Sequence, residues 1–184
     1  MKLHACSPIA ILSMALLLGA ALSCAAEEDL EYKVKAAYLA NFAQFVDWPE
    51  KSFENKDSPI VIAVLETDPF GANLERAVAN KTANGRAIKI KRVRNADDAA
   101  GCHILYVGTY DRDKLSKCFK AIKSKPILTV GESADFMREG GIIRFVIRDE
   151  RVQLDINAEG ATELGLRISS KLLRLANLVK VREK

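Results

Sequence analysis

The chain has 184 residues, with 28 Lys plus Arg against 24 Asp plus Glu and 49% hydrophobic residues. That is the size of one ordinary domain, with enough apolar material to bury a real core. A net charge of only +4, with no basic tail and no alternation of basic and aromatic residues, excludes nucleic acid as an expected partner.

Lys2 is the only charge before Glu27, and Pro8 to Leu22 is a short apolar run rich in Leu and Ala. This pattern predicts a secretory signal peptide over residues 1–25, with cleavage after Ala25 or Ala26. The run is shorter than the ~20 apolar residues of a membrane span. Ala21 stands where a lipoprotein signal carries a larger aliphatic residue, so lipidation of Cys24 is not expected. A single domain is expected over residues 29–180 of an exported protein.

From Leu30, the residues Val34, Tyr38, Phe42 and Phe45, with Ala37 and Val46 beside them, fit a helix with one apolar face. Trp48-Pro49 ends it, since the residue before proline is pushed out of helical geometry. Pro59 to Leu65 is continuously apolar, as a strand covered on both faces would be. Thr67 to Gly71 turns into a helix bearing Leu74, Ala77 and Val78, and Asn84-Gly85 breaks it. In Ala87 to Val93, Ile88 and Ile90 alternate with Lys89 and Lys91, which places this strand at the periphery. His103 to Val107 reads as a central strand, followed by a turn at Gly108 to Asp111 and a helix through Ile122. Pro126 to Val130 is a further strand, and Ser133 to Met137 a helical turn.

The segment Gly140 to Val179 predicts a strand hairpin and then the longest amphipathic helix of the chain. Ala161, Leu164, Ile168, Leu172, Leu175 and Val179 recur there at steps of three and four. On that helix Leu166 and Leu173 would point outward, and Arg167, Lys171 and Arg174 would form a basic flank. Helices alternating with strands, then a hairpin, argue for an α/β layered domain with a mixed sheet, parallel in the middle and antiparallel toward one side.

Two cysteines follow the leader, Cys102 and Cys118. A disulfide between them would close a loop of about 15 residues, worth up to about 3 kcal/mol in an oxidising compartment. Cys102, however, opens a strand while Cys118 lies midway along the returning helix, and Cα atoms more than about 7 Å apart cannot be bridged. A bridge and two buried thiols both satisfy the pattern.

Catalytic signatures are missing. There is no G-x-S-x-G, no H-E-x-x-H, no phosphate loop and no G-x-G-x-x-G, and the one histidine after the leader, His103, reads as a core residue. The pairs Asp97-Asp98 and Asp149-Glu150 fall in turns. No enzyme activity, metal or cofactor is expected. The turns after three candidate parallel strands hold Thr67, Asp68 and Gly71, then Gly108 and Thr109, then Gly131 and Ser133. They would gather at one sheet edge, where open α/β sheets place small ligands, or they merely cap helices.

Tyr38 to Phe42, running to Phe45-Val46-Asp47-Trp48-Pro49, resembles the opening of the YfiR family of periplasmic proteins. Cys102 to Gly108, Leu128 to Gly131, Phe136 to Gly141 and Asp155-Ile156-Asn157 leading to Ile168 to Ala176 extend the resemblance over Tyr32 to Val179. It implies a Rossmann-like fold, often dimeric, in a non-enzymatic periplasmic regulator. Such a protein binds the sensory part of an inner-membrane diguanylate cyclase, or another membrane sensor protein, and holds it inactive, lowering cyclic di-GMP and biofilm formation. Some members carry a second cysteine pair near the hairpin, which this chain lacks. The expected partner surface comprises the hairpin tip, Asp149, Glu150 and Arg151, with Leu166, Arg167, Lys171, Leu173 and Arg174. Leu166 and Leu173 serve alternatively as a homodimer seam. The competing expectation is a periplasmic module that binds a small solute through the strand-end loops.

Overall fold

The computed structural model describes residues 28–181; the expected signal peptide, its cleavage sites and Cys24 lie outside the described residues. Residues 28–45 form the first helix, α1. Its buried side carries Ala36, Leu39, Ala40, Phe42, Ala43 and the following Val46, with Lys35 among them. The expected apolar face is therefore rotated: Val34 is exposed, and Tyr38 and Phe45 are half-buried. Three alanines on the inner side let the helix backbone approach the sheet, and the larger side chains spread to its flank.

After α1 the chain forms β1 (Val46–Asp47), a 3₁₀ turn (Glu50–Ser52), β2 (Ile60–Leu65), α2 (Ala72–Val78), β3 (Thr82–Ala83) and β4 (Arg86–Val93). Asn84 and Gly85, both at positive φ, make the two-residue hairpin turn between β3 and β4. The breaker in the sequence thus joins two strands. A second 3₁₀ turn (Ala96–Ala99) leads to β5 (Ile104–Val107), α3 (Arg112–Ala121), β6 (Leu128–Gly131) and α4 (Ala134–Arg138). The predicted hairpin is β7 (Ile143–Arg148) and β8 (Arg151–Ile156).

The eight-stranded sheet has the order β10-β8-β7-β6-β5-β2-β4-β3. Pairing is parallel from β4 through β2, β5 and β6 to β7, and antiparallel at the β7–β8 and β3–β4 hairpins. From β2 the chain moves outward to β4, then returns across β2 to β5. The carboxyl ends of β2 and β5 therefore flank the point where the winding reverses. One face of the sheet packs α1, α2 and the C-terminal segment around Ile62, Tyr106, Val130 and Phe145. The other packs α3 and α4 around Leu105, Val107 and Leu115. This is the expected Rossmann-like, layered α/β architecture with a mixed sheet.

The long C-terminal helix does not form. In its place are α5 (Ala158–Glu163), β9 (Arg167–Ile168), α6 (Ser170–Leu173) and β10 (Asn177–Leu178). Two helix starts are written inside the segment. The Asn157 side chain accepts from Gly160 N at 3.0 Å, and the Ser169 hydroxyl accepts from Leu172 N at 3.4 Å. Gly165 at φ +76° supplies the left-handed residue that stops α5. β9 then pairs antiparallel with β1, Val46 opposite Ile168, which fastens the segment beneath the end of α1. Leu175, assigned to the buried stripe, is 73% exposed. A periodicity of three and four is met equally well by two short helical turns with a strand between them.

His103 is a satisfied core residue. Its Nδ1 accepts from Val61 N at 3.1 Å, which leaves the proton on Nε2, 3.2 Å from Ser52 O. Its ring stacks on Phe53 at 4.5 Å, and its carbonyl accepts from Trp48 Nε1. Burial holds its pKa below the ordinary 6.5. The stabilisation from this neutral ring is complete above pH 6.5 and declines as pH falls from there toward the lower native value, because the unfolded state takes up the proton first. Urea unfolding at pH 7.5 and 5.5 checks this: the native chain loses stability on acidification, and His103→Asn, weaker at pH 7.5, loses less.

Candidate functional site

The carboxyl edge of the parallel strands brings the predicted ligand loops together. Gly108 N donates to Leu65 O at 3.3 Å, and a Cβ on Gly108 would lie 2.2 Å from Thr67 O. Only glycine allows the loops after β2 and β5 this approach. The crevice between them is filled from within. Phe70 packs edge-on against Tyr106 at 4.7 Å, and Tyr32 of α1 packs edge-on against Phe70 at 5.8 Å.

Ser133 caps α4, while Asp68 and Thr109 brace the turns that precede α2 and α3 and cap neither helix. Ser133 Oγ accepts from Phe136 N at 3.0 Å, Asp68 Oδ1 from Phe70 N at 2.8 Å and Thr109 Oγ1 from Asp111 N at 3.2 Å. Gly131 and Gly141 give room to the Phe136 ring, which a Cβ at either would meet at 2.6 and 2.2 Å. Gly71, at φ +48°, starts α2.

The chemistry of the edge converges on a residue that sequence reasoning passed over, Glu132. Its carboxylate accepts from Tyr106 OH at 2.7 Å, Tyr110 OH at 3.1 Å and Lys35 Nζ at 2.8 Å. Lys35 is only 2% exposed, and its ammonium also meets Glu31 and sits 4.5 Å from the centre of the Tyr32 ring. Burial, reinforced by Glu132, pushes Tyr110 up to about 12 and Tyr106 well above the usual tyrosine value. Tyr32 is likewise pushed up to about 12. All three phenols stay protonated: Tyr106 and Tyr110 donate to the Glu132 carboxylate, and the Tyr32 ring lies beside the Lys35 ammonium. One signal in the sequence marks the cluster: Lys35 falls in register with Tyr32, Leu39, Phe42 and Val46. A charge on that stripe requires a buried partner.

The remaining expected site residues are scattered. Leu166 is 1% exposed and packs in the core, so it is neither a partner contact nor a dimer seam. Leu173 is half-buried against the same core. Arg167 lies on β9, 3.9 Å from Asp47, while Lys171 and Arg174 project from a different element, so the basic flank does not exist as one helix face. Asp149, Glu150 and Arg151 do form an exposed hairpin tip. Beneath it Asp155 accepts from Arg148 and Arg144 on the hairpin and from Asn177 of β10 at 3.1 Å. Burial alone would raise this carboxyl; the two guanidinium groups and Asn177 outweigh it and hold it at about 2.

Cys102 and Cys118 are buried free thiols, so the bridged alternative falls. Burial pushes them up to about 12 and about 11, which suppresses the reactive thiolate. Among the described residues no cluster of three or more His, Cys, Asp or Glu is arranged to hold a metal, and no helix is long and apolar enough to cross a membrane. Cavities open elsewhere. One of about 690 Å³ lies between the end of α3 and α5, and one of about 290 Å³ borders Arg144 and Val181.

A family model described as YfiR/HmsC-like matches residues 32–177. The chain belongs to this family. No curated protein matches it. Among solved structures, a conserved domain protein from Vibrio cholerae O1 biovar El Tor aligns at 13% identity and a TM-score of 0.48, covering 65% of this chain and 54% of that one. The ABC domain in complex with L-Trp from Streptococcus pneumoniae aligns at 14% identity and a TM-score of 0.46, covering 65% and 55%. The chain thus spans about half the length of these two structures.

Two stability measurements test the edge. Lys35→Met strands the Glu132 carboxylate and is expected to cost about 3 kcal/mol, the scale for breaking a buried pair. Lys35→Met combined with Glu132→Gln should cost less than the sum of the single changes in a denaturation cycle. Gly108→Ala, which forces Thr67 away, should lower stability by about 1–3 kcal/mol in the same assay.

Proposed function

We propose that the protein is an exported, periplasmic regulator without catalytic activity of its own. It binds the sensory part of an inner-membrane diguanylate cyclase and holds that enzyme inactive, lowering cyclic di-GMP and biofilm formation. Membership of the YfiR/HmsC-like family over residues 32–177 carries this reading. The filled crevice supports it: Tyr32, Lys35, Phe70 and Tyr106 occupy the place where an α/β sheet of this winding would take a small ligand. A repressor needs a firm surface with different affinities for two states of its partner, and packed aromatics braced by a buried ion pair provide firmness. Solute binding through the strand-end loops would require α1 to withdraw first.

Cellular cyclic di-GMP in the native host checks the reading. Deletion of the gene should raise it, and only the chain carrying its own leader should restore it. An unchanged level under resting and inducing conditions would remove the cyclase from the proposal.

A further inference from the structure

A cavity on the α3 and α4 face of the sheet combines apolar walls with a guanidinium that the fold only partly engages. It holds about 290 Å³ and lies between Met137 and Arg138 of α4, Arg144 of β7, Asp155 of β8 and the segment Val179–Val181 that follows β10. Met137, Val179 and Val181 belong to the apolar packing of this face, so they supply the walls. The volume stands at the lower limit of small-molecule sites and is too small for a nucleotide.

Arg144 is the polar group here that the protein leaves unsatisfied. Its side chain is 20% exposed, and one terminal nitrogen donates to Asp155. Asp155 has no capacity for more. Arg144 and Arg148 both meet Oδ2, while Arg148 and Asn177 meet Oδ1 at 2.9 and 3.1 Å. Arg144 Nε is buried with no acceptor among the described residues. An enclosed donor in that state calls for an explanation by strain or by a ligand. Strain does not supply it, since Arg144 sits in regular strand register, opposite Asp155 and beside Gly131.

The charges around the cavity close with one positive in excess. Arg138 is paired with Asp135 and Lys180 with Glu159, each at 2.8 Å. Arg144 and Arg148 are left to share the single carboxylate of Asp155. Two fixed cations against one anion suit a ligand with one negative charge, and the planar fork of a guanidinium suits a carboxylate.

We propose that this cavity binds a small monocarboxylate with a compact apolar body, its carboxylate on the Arg144 guanidinium and its chain against Met137, Val179 and Val181. The site lies on the face of the sheet opposite Tyr32, Phe70 and Tyr106, and it does not depend on the repressor reading. A ligand there would tie the segment after β10 to α4 and β7, reinforcing the hydrogen bond from Asn177 to Asp155.

Octanoate is the probe, titrated by calorimetry into the full exported chain beside octylamine and acetate. Octanoate should bind about tenfold or more tightly than either. R144Q, which removes the fork but leaves Asp155 to Arg148 and Asn177, should weaken octanoate about tenfold. V179F, which fills the cavity and alters no charge, should weaken it to the same degree. R94Q, which removes a positive charge just after β4, should bind as the native chain does. Melting temperatures without ligand establish that each variant is folded; if R144Q is not, V179F and the octylamine comparison decide. No octanoate binding, equal binding of octanoate and octylamine, or an affinity unchanged in V179F or in folded R144Q overturns the site. Cyclic di-GMP enters none of these readouts, so they stand whether or not the cyclase assignment does.

Discussion

A single ammonium group joins the two halves of this structure. Lys35 comes from the first helix and Glu132 from the loop after β6, and their 2.8 Å contact is shielded from solvent by Tyr32 and Phe145. In such surroundings a lone charge is far costlier than a lone apolar group, so loss of Lys35 would leave Glu132 a charge with only the Tyr106 and Tyr110 hydroxyls to meet it. α1 is thereby fixed in both its height over the sheet and its rotation about its own axis. The position of the alanine face, the closed crevice and the outward flank with Leu30 and Val34 all follow from that placement.

The pair also explains why the winding reversal is closed. In an open α/β sheet the diverging loops after the central strands leave a gap that a ligand fills. Here Gly108 lets those loops touch, and the aromatic stack Tyr32–Phe70–Tyr106 takes up the volume that remains. The three tyrosines that reach the edge donate or pack rather than ionise, so none of them adds a charge to the site over the ordinary pH range.

Much of the sheet was legible in the sequence, because uninterrupted apolar runs such as Ile60–Leu65 and Ile104–Val107 admit few other structures, and Lys89 and Lys91 mark β4 as peripheral. The segment after β8 was not. Its spacing of Leu and Ile satisfied a helix, while Asn157, Gly165 and Ser169 carried the local instructions that divided it. Those polar and glycine signals outrank periodicity when the segment is held by tertiary pairing, as β9 is by β1. The site was half legible: the turn residues were placed at the correct edge, but Glu132 was hidden between two of them. Side-chain convergence from α1, β5 and β6 depends on three-dimensional register that a linear pattern does not carry.

β10 has a consequence for solubility. It adds only Asn177 and Leu178 to the sheet, yet it lies parallel along β8, fastened by Asn177 to Asp155 and by Val179 N to Ile156 O at 3.0 Å. On its far side β8 would otherwise offer unpaired peptide groups next to a hydrophobic core, the kind of border that recruits strands from neighbouring molecules. β10 thus works as a short selvedge over the Asp155–Ile156 end of β8, and a protein without it would keep its core while widening the margin along which copies could stitch together.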